Sequence, residues 1–482
     1  MTTSDELIRM TACQVVELLK TKAVTPLEVV DASLARIEKV NPSINAMVAL
    51  CADRARQQAK ELIAQKAPAD RGFGWLGGLP FAVKDLNDLA GVRTTYGSPI
   101  FADNVPSRSD IMVEQLERQG GIPIGMSNSP EFGAGGNTFN EVYGETLNPW
   151  NTTLNAGGSS GGAAAALAAG EVWLATGSDL GGSLRTPASF CSVVGLRPTP
   201  GRVPSGPNQV IYNALPVDGP MARNVADVGL MLDAMVGWSP EDPLSLEAPS
   251  TSFRAAAQAP DAVWRTGAPK RIAYSATLGI TPVDRRTKEI CDRAVRRFEE
   301  LGCIVEEACP DFAGVPEAFQ TLRALGFATS MRGHYDTNRH LLKPDVIWNI
   351  ERGMSLTIEE IGDALLRRGR LYAEMITFFK TYDLLVCPAA CTPPLDIKQR
   401  WLRELEGVTF DNYVEWLRIA SVITMTSHPS LALPAGFTED GQPVGLQLVG
   451  KPRGEAELLA AGAAFEQLVD IARLTPIEPK KK

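Results

Sequence analysis

Segments with helical periodicity alternate along this chain with short apolar runs, and this alternation constrains the fold more than any other feature. Residues 25–28, Thr-Pro-Leu-Glu, predict a capping box at the start of a helix. Val30, Leu34 and Ile37 then recur at the spacing of one helix face. Residues 122–126 and 172–176 are short apolar runs bounded by glycines, which is typical of buried strands. Helices that alternate with buried strands predict an α/β fold.

Composition and charge exclude several classes of protein. The 482 residues carry a net charge of −9, which argues against a basic face that neutralises phosphates, so no nucleic-acid partner is expected. No apolar run reaches the length of a membrane span, and the first six residues lack the pattern of a secretory signal. The eight cysteines are scattered and form no Cys-x-x-Cys pair. We therefore expect a cytoplasmic protein with free thiols, no membrane partner, and no metal or cofactor.

Two serine-bearing glycine segments and one lysine are the strongest candidates for chemistry. Residues 157–162 have the sequence Gly-Gly-Ser-Ser-Gly-Gly and precede an alanine-rich helical run. Residues 179–183, Asp-Leu-Gly-Gly-Ser, follow a predicted strand, where backbone N–H groups beside glycines can converge on an oxyanion. Lys84 ends a further apolar run, where burial can deprotonate an amine near neutral pH. Together these segments supply a nucleophile, a relay hydroxyl and a base.

Histidine is the alternative base for a serine nucleophile. The chain contains only three histidines, none in a zinc-binding pattern. His428 is the best placed of them for a Ser-His-Asp triad, but a packing or surface role fits it better. The sequence therefore favours a base other than histidine.

Residues 157–200, which contain both glycine segments, resemble the signature of the amidase signature family. The resemblance extends upstream through residues 77–85 and 127–133. Downstream it continues through residues 218–223 and 441–447, so that it covers most of the chain. Residues 240–425 are the divergent part.

The resemblance implies a single large α/β domain over residues 1–482, with a mixed central sheet covered by helices on both faces. We expect four parts within it, given in chain order. They are an N-terminal helical part (1–70), a signature core with the catalytic residues (71–235), a divergent substrate-pocket region (236–425) and a C-terminal return to the core (426–482).

The resemblance also implies a Ser–cis-Ser–Lys catalytic triad. Ser183 would be the nucleophile, Ser159 the middle serine and Lys84 the base. In this family the peptide bond before the middle serine is cis, which here is the bond from Gly158.

Further roles follow from the same motif. The oxyanion hole would be formed by the backbone N–H groups of Leu180, Gly181, Gly182 and Ser183. Supporting roles would fall to Ser160, Asp179 and Arg185.

Family position also predicts residues that border the substrate pocket: Met126, Asn128, Ser205, Asp218 and His428. Met126 and His428 depart from the residues that many members carry, and the change at His428 leaves the size of the substrate open. The aromatic side chains of Trp348, Tyr413 and Trp416 could favour a bulky apolar or aryl acyl group, or could simply pack between helices.

Three functions remain at this stage. The first is a serine amidohydrolase, a monomer or homodimer, that cleaves a small organic amide, and also carbamate (urethane) or ester bonds, through an acyl-enzyme. The second is the amidase-type A subunit of a glutamyl-tRNA(Gln)/aspartyl-tRNA(Asn) amidotransferase, which works inside a complex. The third is a binding protein that kept the fold and lost catalysis, although all three triad residues are present.

Overall fold

The computed structural model describes residues 3–65, 71–207 and 210–481. The α-helices in these ranges are α1 (Ser4–Arg9), α2 (Ala12–Thr21), α3 (Pro26–Val40), α4 (Ala52–Ala64), α5 (Ile111–Arg118), α6 (Gly161–Ala169), α7 (Arg185–Cys191), α8 (Val225–Met235), α9 (Phe253–Gln258), α10 (Pro260–Val263), α11 (Arg285–Arg296), α12 (Val315–Asn338), α13 (Pro344–Met354), α14 (Ile358–Phe378), α15 (Arg418–Met425) and α16 (Glu455–Val469).

The strands in the same ranges are β1 (Met47–Leu50), β2 (Pro80–Lys84), β3 (Ile122–Ser127), β4 (Phe139–Asn140), β5 (Gly144–Glu145), β6 (Leu147–Asn148), β7 (Asn151–Asn155), β8 (Leu174–Asp179), β9 (Val194–Arg197), β10 (Val217–Ala222), β11 (Arg271–Tyr274), β12 (Ile304–Glu307), β13 (Leu384–Pro388), β14 (Glu404–Leu405), β15 (Val408–Thr409), β16 (Ser430–Phe437) and β17 (Pro443–Val449).

An eleven-stranded mixed sheet organises the described chain, in the order β1-β3-β2-β8-β10-β9-β16-β17-β13-β11-β12. Strands β3, β2 and β8 are parallel to one another, as are β13, β11 and β12. The strands between these two groups pair in an antiparallel manner. The expected mixed α/β sheet is confirmed.

The side chains of β2 differ in size between the two faces of the sheet. Phe81 and Val83 point into one core, while Ala82 between them points into the other, because successive side chains of a strand alternate. The face that carries Ala82 packs against α6, whose residues Gly161–Ala169 are all buried. Alanines let this helix approach the sheet closely, so the glycine segment that begins it is held against the strand ends.

A third apolar cluster covers one edge of the sheet. It joins Leu385 and Cys387 of β13 to helices α12 to α15. Phe319 of α12 belongs to this cluster and also lines the cavity that Ser159 and Ser183 share. The divergent part of the sequence therefore forms a wall of the site.

Most of the elements predicted from local sequence are present. Thr25 caps α3 with a reciprocal box, in which the Thr25 N–H donates to the Glu28 carboxylate at 2.7 Å and the Glu28 N–H to Thr25 Oγ1 at 3.3 Å. The run 122–126 is β3, while the run 172–176 forms a strand that begins two residues later, at Leu174. The prediction of helices alone for the N-terminal part missed β1, which adds an edge strand beside β3. Among the described helices, none combines the length and apolarity needed to span a bilayer.

Candidate active site

The candidate catalytic side chains meet because two parallel strands end at the same edge of the sheet. Lys84 is the last residue of β2, and Ser178 lies one residue before the end of the neighbouring strand β8. The loop before α6 brings Ser159 to this edge, and the loop after β8 brings Ser183. Ligand sites of α/β sheets commonly lie at the carboxyl ends of strands.

The Lys84 amine contacts three hydroxyl groups. Its Nζ lies 2.7 Å from Ser159 Oγ, 2.8 Å from Ser160 Oγ and 3.0 Å from Ser178 Oγ. The Lys84 backbone N–H donates to Thr176 Oγ1 at 2.9 Å, which fixes the strand end. The lysine is fully buried, with 0% of its surface exposed.

Burial lowers the pKa of the Lys84 amine to about 7, because the charged form is poorly solvated there. The carboxylates of Asp218 and Asp179 act in the opposite direction. An amine with such a pKa is neutral in a large fraction of molecules at neutral pH, which a proton acceptor requires.

Ser159 and Ser183 both line a cavity of about 180 Å³, which we call the catalytic cavity. The Gly158–Ser159 peptide bond is cis, as the family resemblance implied. The Ser160 backbone N–H donates to the Ser183 carbonyl oxygen at 3.2 Å, which ties the two serine-bearing loops together. Ser160, predicted to support the site, makes two contacts there, this bond and the one with the Lys84 amine.

Three of the four residues predicted to form the oxyanion hole lie at the cavity, and the backbone N–H of the fourth is used elsewhere. Leu180, Gly181 and Ser183 line the catalytic cavity. The Gly182 N–H instead donates to Asp179 Oδ1 at 2.9 Å, so it is not available for an oxyanion. Gly182 has φ 113°, and an added Cβ would lie 2.5 Å from Ala420 Cβ, so this position requires glycine.

Asp179 and Arg185 hold the loop from Leu180 to Ser183 in place. The Arg185 guanidinium donates to both Asp179 carboxylate oxygens, at 3.0 and 2.9 Å, and to the Ala420 carbonyl and the Gln447 side chain, each at 2.8 Å. Burial alone would raise the pKa of the Asp179 carboxyl, but Arg185 and Arg197 outweigh burial and hold that pKa well below its ordinary value. The loop is thereby tied to α15 and β17.

Asp179→Asn is expected to destabilise the fold by about 3–5 kcal/mol, because it leaves Arg185 and Arg197 buried without a counter-charge. Urea unfolding of the two purified proteins measures this loss. Asp336→Asn is a matched control, since the Arg332–Asp336 pair lies on the surface with more than half of each side chain exposed. We expect the control to change stability by about 0.5 kcal/mol or less. Equal stability of Asp179→Asn and wild type would contradict this account of the loop.

A larger cavity of about 560 Å³ adjoins the catalytic one. Both cavities are lined by Leu86, Ser178 and Leu180, which connects them. Ser205 and Asp218 line the larger cavity, as predicted for pocket residues, and Ser205 Oγ donates to Asp218 Oδ2 at 3.3 Å.

Three residues predicted at the pocket lie elsewhere. Met126 faces the apolar core from β3, and Asn128 donates to Thr146 Oγ1 at 3.0 Å within a buried network; neither lines a described cavity. His428 is buried against the ring of Phe379, with ring centroids 5.2 Å apart. Burial lowers the pKa of His428 to about 4. It does not reach the serines, so the histidine alternative is not supported.

The predicted aromatics divide between the two roles left open for them. Tyr413 lines the catalytic cavity. The ring of Trp348 packs edge-on against the ring of Tyr413, with centroids 6.1 Å apart. Trp416 is buried in the helical cluster and lines neither described cavity.

Ser178 is a site residue that the sequence reasoning missed. Thr176 and Ser178 are two apart on β8, so both point to the same face of the sheet, toward Lys84. The period-two spacing of these two hydroxyl residues, just before the glycine segment, is the signal in the sequence that indicates their shared face.

The chain matches known proteins over nearly its whole length. The sequence profile of the Amidase family matches residues 28–459. The chain is 36% identical to an acylamidase of Rhodococcus erythropolis, with 96% of each chain covered. It is 34% identical to the A subunit of the glutamyl-tRNA(Gln) amidotransferase of Moorella thermoacetica, with 98% of this chain and 99% of that protein covered. The crystal structure of a bacterial aryl acylamidase of the amidase signature family matches with a TM-score of 0.88 at 28% identity, over 98% of this chain and 99% of that one.

The fold and these similarities define an amidase-type hydrolase of C–N bonds other than peptide bonds. The chain belongs to the amidase signature family.

Proposed function

We propose that this protein hydrolyses small-molecule amides with Ser183 as nucleophile, Ser159 as relay and Lys84 as base. One observation carries the proposal. The fully buried Lys84 amine lies 2.7 Å from Oγ of Ser159, and Ser159 lines the same cavity as Ser183. A buried lysine beside hydroxyl groups is a known way to activate a nucleophile.

The proposed reaction has two halves. Ser183 Oγ attacks the substrate carbonyl while its proton passes to Ser159, whose own proton passes to neutral Lys84. The N–H groups of Leu180, Gly181 and Ser183 stabilise the oxyanion. The proton then returns through Ser159 to the leaving amine, and the C–N bond breaks to leave an acyl-enzyme. Water, deprotonated by the same relay, attacks the acyl group, and Ser183 regains its proton.

The larger cavity supports an apolar or aryl substrate. Part of its lining is apolar, with Phe101, Phe132, Leu322, Phe327 and Met331, so an apolar group displaces water favourably at that part. The carboxylates of Asp110, Asp218 and Asp242 line the cavity as well. The similarity to an acylamidase and to an aryl acylamidase points in the same direction. Carbamates and esters present the same carbonyl carbon to Ser183, so we propose activity on them as well.

A fluorophosphonate, followed by intact mass as a function of pH, tests the assignment. We expect one adduct on wild type and none on Ser183→Ala. The labelling rate should be constant above the pKa of Lys84, about 7, and fall about tenfold per pH unit below it, since protonated lysine cannot accept a proton.

Two outcomes would refute this proposal. Labelling that is fastest near pH 5 would exclude neutral lysine as the base, and an adduct retained by Ser183→Ala would place the nucleophile elsewhere. Ser421→Ala is the matched control. This serine is on α15, next to the loop from Leu180 to Ser183, and it lines neither described cavity. It should label like wild type.

The amidotransferase role is the second candidate function, and its support is the 34% identity to the Moorella thermoacetica protein over almost the full length of both chains. Release of ammonia from glutamine by the purified chain, compared with release of an arylamine from an acyl anilide, separates the two functions. We expect the anilide to be hydrolysed at least tenfold faster.

A cytoplasmic location accords with eight cysteines that are all unpaired.

A further inference from the structure

Helix α14 exposes an apolar surface along its whole length. The side chains involved are large, and the exposed fraction is 75% for Ile358 and 62% for Leu366. The other exposed members are Leu365, Tyr372 and Ile376. The opposite side of the helix, with Ala364, Leu371 and Met375, is buried against the third apolar cluster. Apolar side chains grouped in this way on a surface mark an interaction site.

The exposed residues form one stripe. Ile358, Leu365 and Tyr372 follow one another at intervals of seven, and Ile376 continues the line one turn later. Gly362, Gly369 and Ala373 lie on the same face, between the large side chains. This α14 stripe, from Ile358 to Ile376, is about 27 Å long, since each helical residue rises about 1.5 Å.

We propose that the α14 stripe binds the same stripe of a second copy of this chain, in an antiparallel two-fold dimer. With the two-fold axis at residue 367, Ile358, Leu365, Tyr372 and Ile376 each meet an apolar or small residue, while Leu366 lies at the margin of the stripe, opposite the position of Arg368. The opposing pairs are Ile358 with Ile376, Tyr372 with Gly362, and Leu365 with Gly369. A two-fold interface must be self-complementary. This pattern, which sets large residues against small ones, meets that requirement.

The charges beside the stripe have the same symmetry. Asp363 and Arg370 flank it on the same side, both are exposed, and neither forms an ion pair with another described residue. In an antiparallel pair the same flanks of two helices face each other, so Asp363 of one copy lies opposite Arg370 of the other, about a centre half a residue, or ~0.8 Å along the helix, from the axis of the apolar pairs. Both ion pairs therefore form in the dimer.

A lipid surface is a poorer partner for this stripe. Membrane-binding helices carry basic residues along the polar side. Here Glu359 and Asp363 occupy the first turns beside the stripe. The arginines at 367 and 368 donate to backbone carbonyl groups of the same chain, which leaves Arg370 as the exposed arginine of the helix. These carboxylates repel an anionic bilayer, whereas in the dimer Asp363 has a partner.

Charge reversal tests the pairing without altering the apolar contact. We expect sedimentation equilibrium to show a dimer for wild type. Asp363→Arg and Arg370→Asp should each raise the dissociation constant about tenfold or more, because like charges then face each other. The double variant restores opposite charges and should return the constant to near the wild-type value.

Cysteine cross-linking tests the direction of the helices. Leu366→Cys lies beside the two-fold axis, so mild oxidation should join two copies through this position. Ile358→Cys lies about 27 Å from its symmetry mate and should not cross-link by itself. Wild type under the same oxidation controls for the native cysteines, and the activity of each variant shows that it is folded.

A wild-type monomer at micromolar concentration would overturn the proposal, as would a dimer that Leu365→Glu does not weaken. Efficient cross-linking of Ile358→Cys alone would replace the antiparallel arrangement with a parallel one and overturn it too. Co-sedimentation of wild type with phosphatidylserine vesicles, abolished by Leu365→Glu, would assign the stripe to a membrane instead.

Discussion

Replacement of Ser183 by alanine is expected to reduce kcat/KM for an acyl anilide by about 10⁴- to 10⁶-fold. Without its hydroxyl, no acyl-enzyme can form, and only the oxyanion donors and substrate binding remain. The fold should be unaffected, because Ser183 takes part in the loop through its backbone carbonyl, which accepts from the Ser160 N–H. Steady-state kinetics measure the loss, and thermal unfolding checks the fold.

Ser178→Ala is the graded control for Ser183→Ala. It removes one of the three hydroxyl groups around the Lys84 amine and leaves the contacts with Ser159 and Ser160. We expect a loss of about fivefold, since one neutral hydrogen bond contributes about 1 kcal/mol. More than about 1% residual activity in Ser183→Ala, measured on protein free of wild type, would show that another group is the nucleophile.

Lys84→Met should lower kcat by about 10³-fold with a much smaller change in KM, because the lysine moves protons and lines neither described substrate cavity. Methionine fills a similar volume in the buried position. The residual activity should also lose the decline below pH 7 that we expect for wild type, since the group of pKa about 7 is gone. A complete pH–rate profile of both proteins measures this.

The variant Lys84→Arg tests whether residue 84 acts as a base or only supplies a positive charge. Arginine keeps the charge but remains protonated at every pH of the assay, so it cannot accept a proton from Ser159. We expect it to be as inactive as Lys84→Met. Recovery of activity in the arginine variant would mean that the positive charge, and not proton transfer, is what the site needs.

Local sequence predicted the elements that local forces control. The Thr25 capping box and the start of β3 at Ile122 follow from residues within a few positions of each other. The strand β1 was missed because its four residues have no distinctive alternation, and its pairing with β3 depends on residues some 80 positions away. Met126 was misplaced for a related reason, since motif position does not say which face of β3 a side chain occupies.

The sequence by itself determined the α/β class, the family resemblance and the three side chains proposed for catalysis, because these depend on residue types in a fixed order. Only the tertiary structure decided how the site works. Burial of Lys84, its contact with Ser178, the use of the Gly182 N–H by Asp179, and the exposed face of α14 all depend on segments brought together from distant parts of the chain. Solvation and pKa follow from that packing, and no local pattern encodes them.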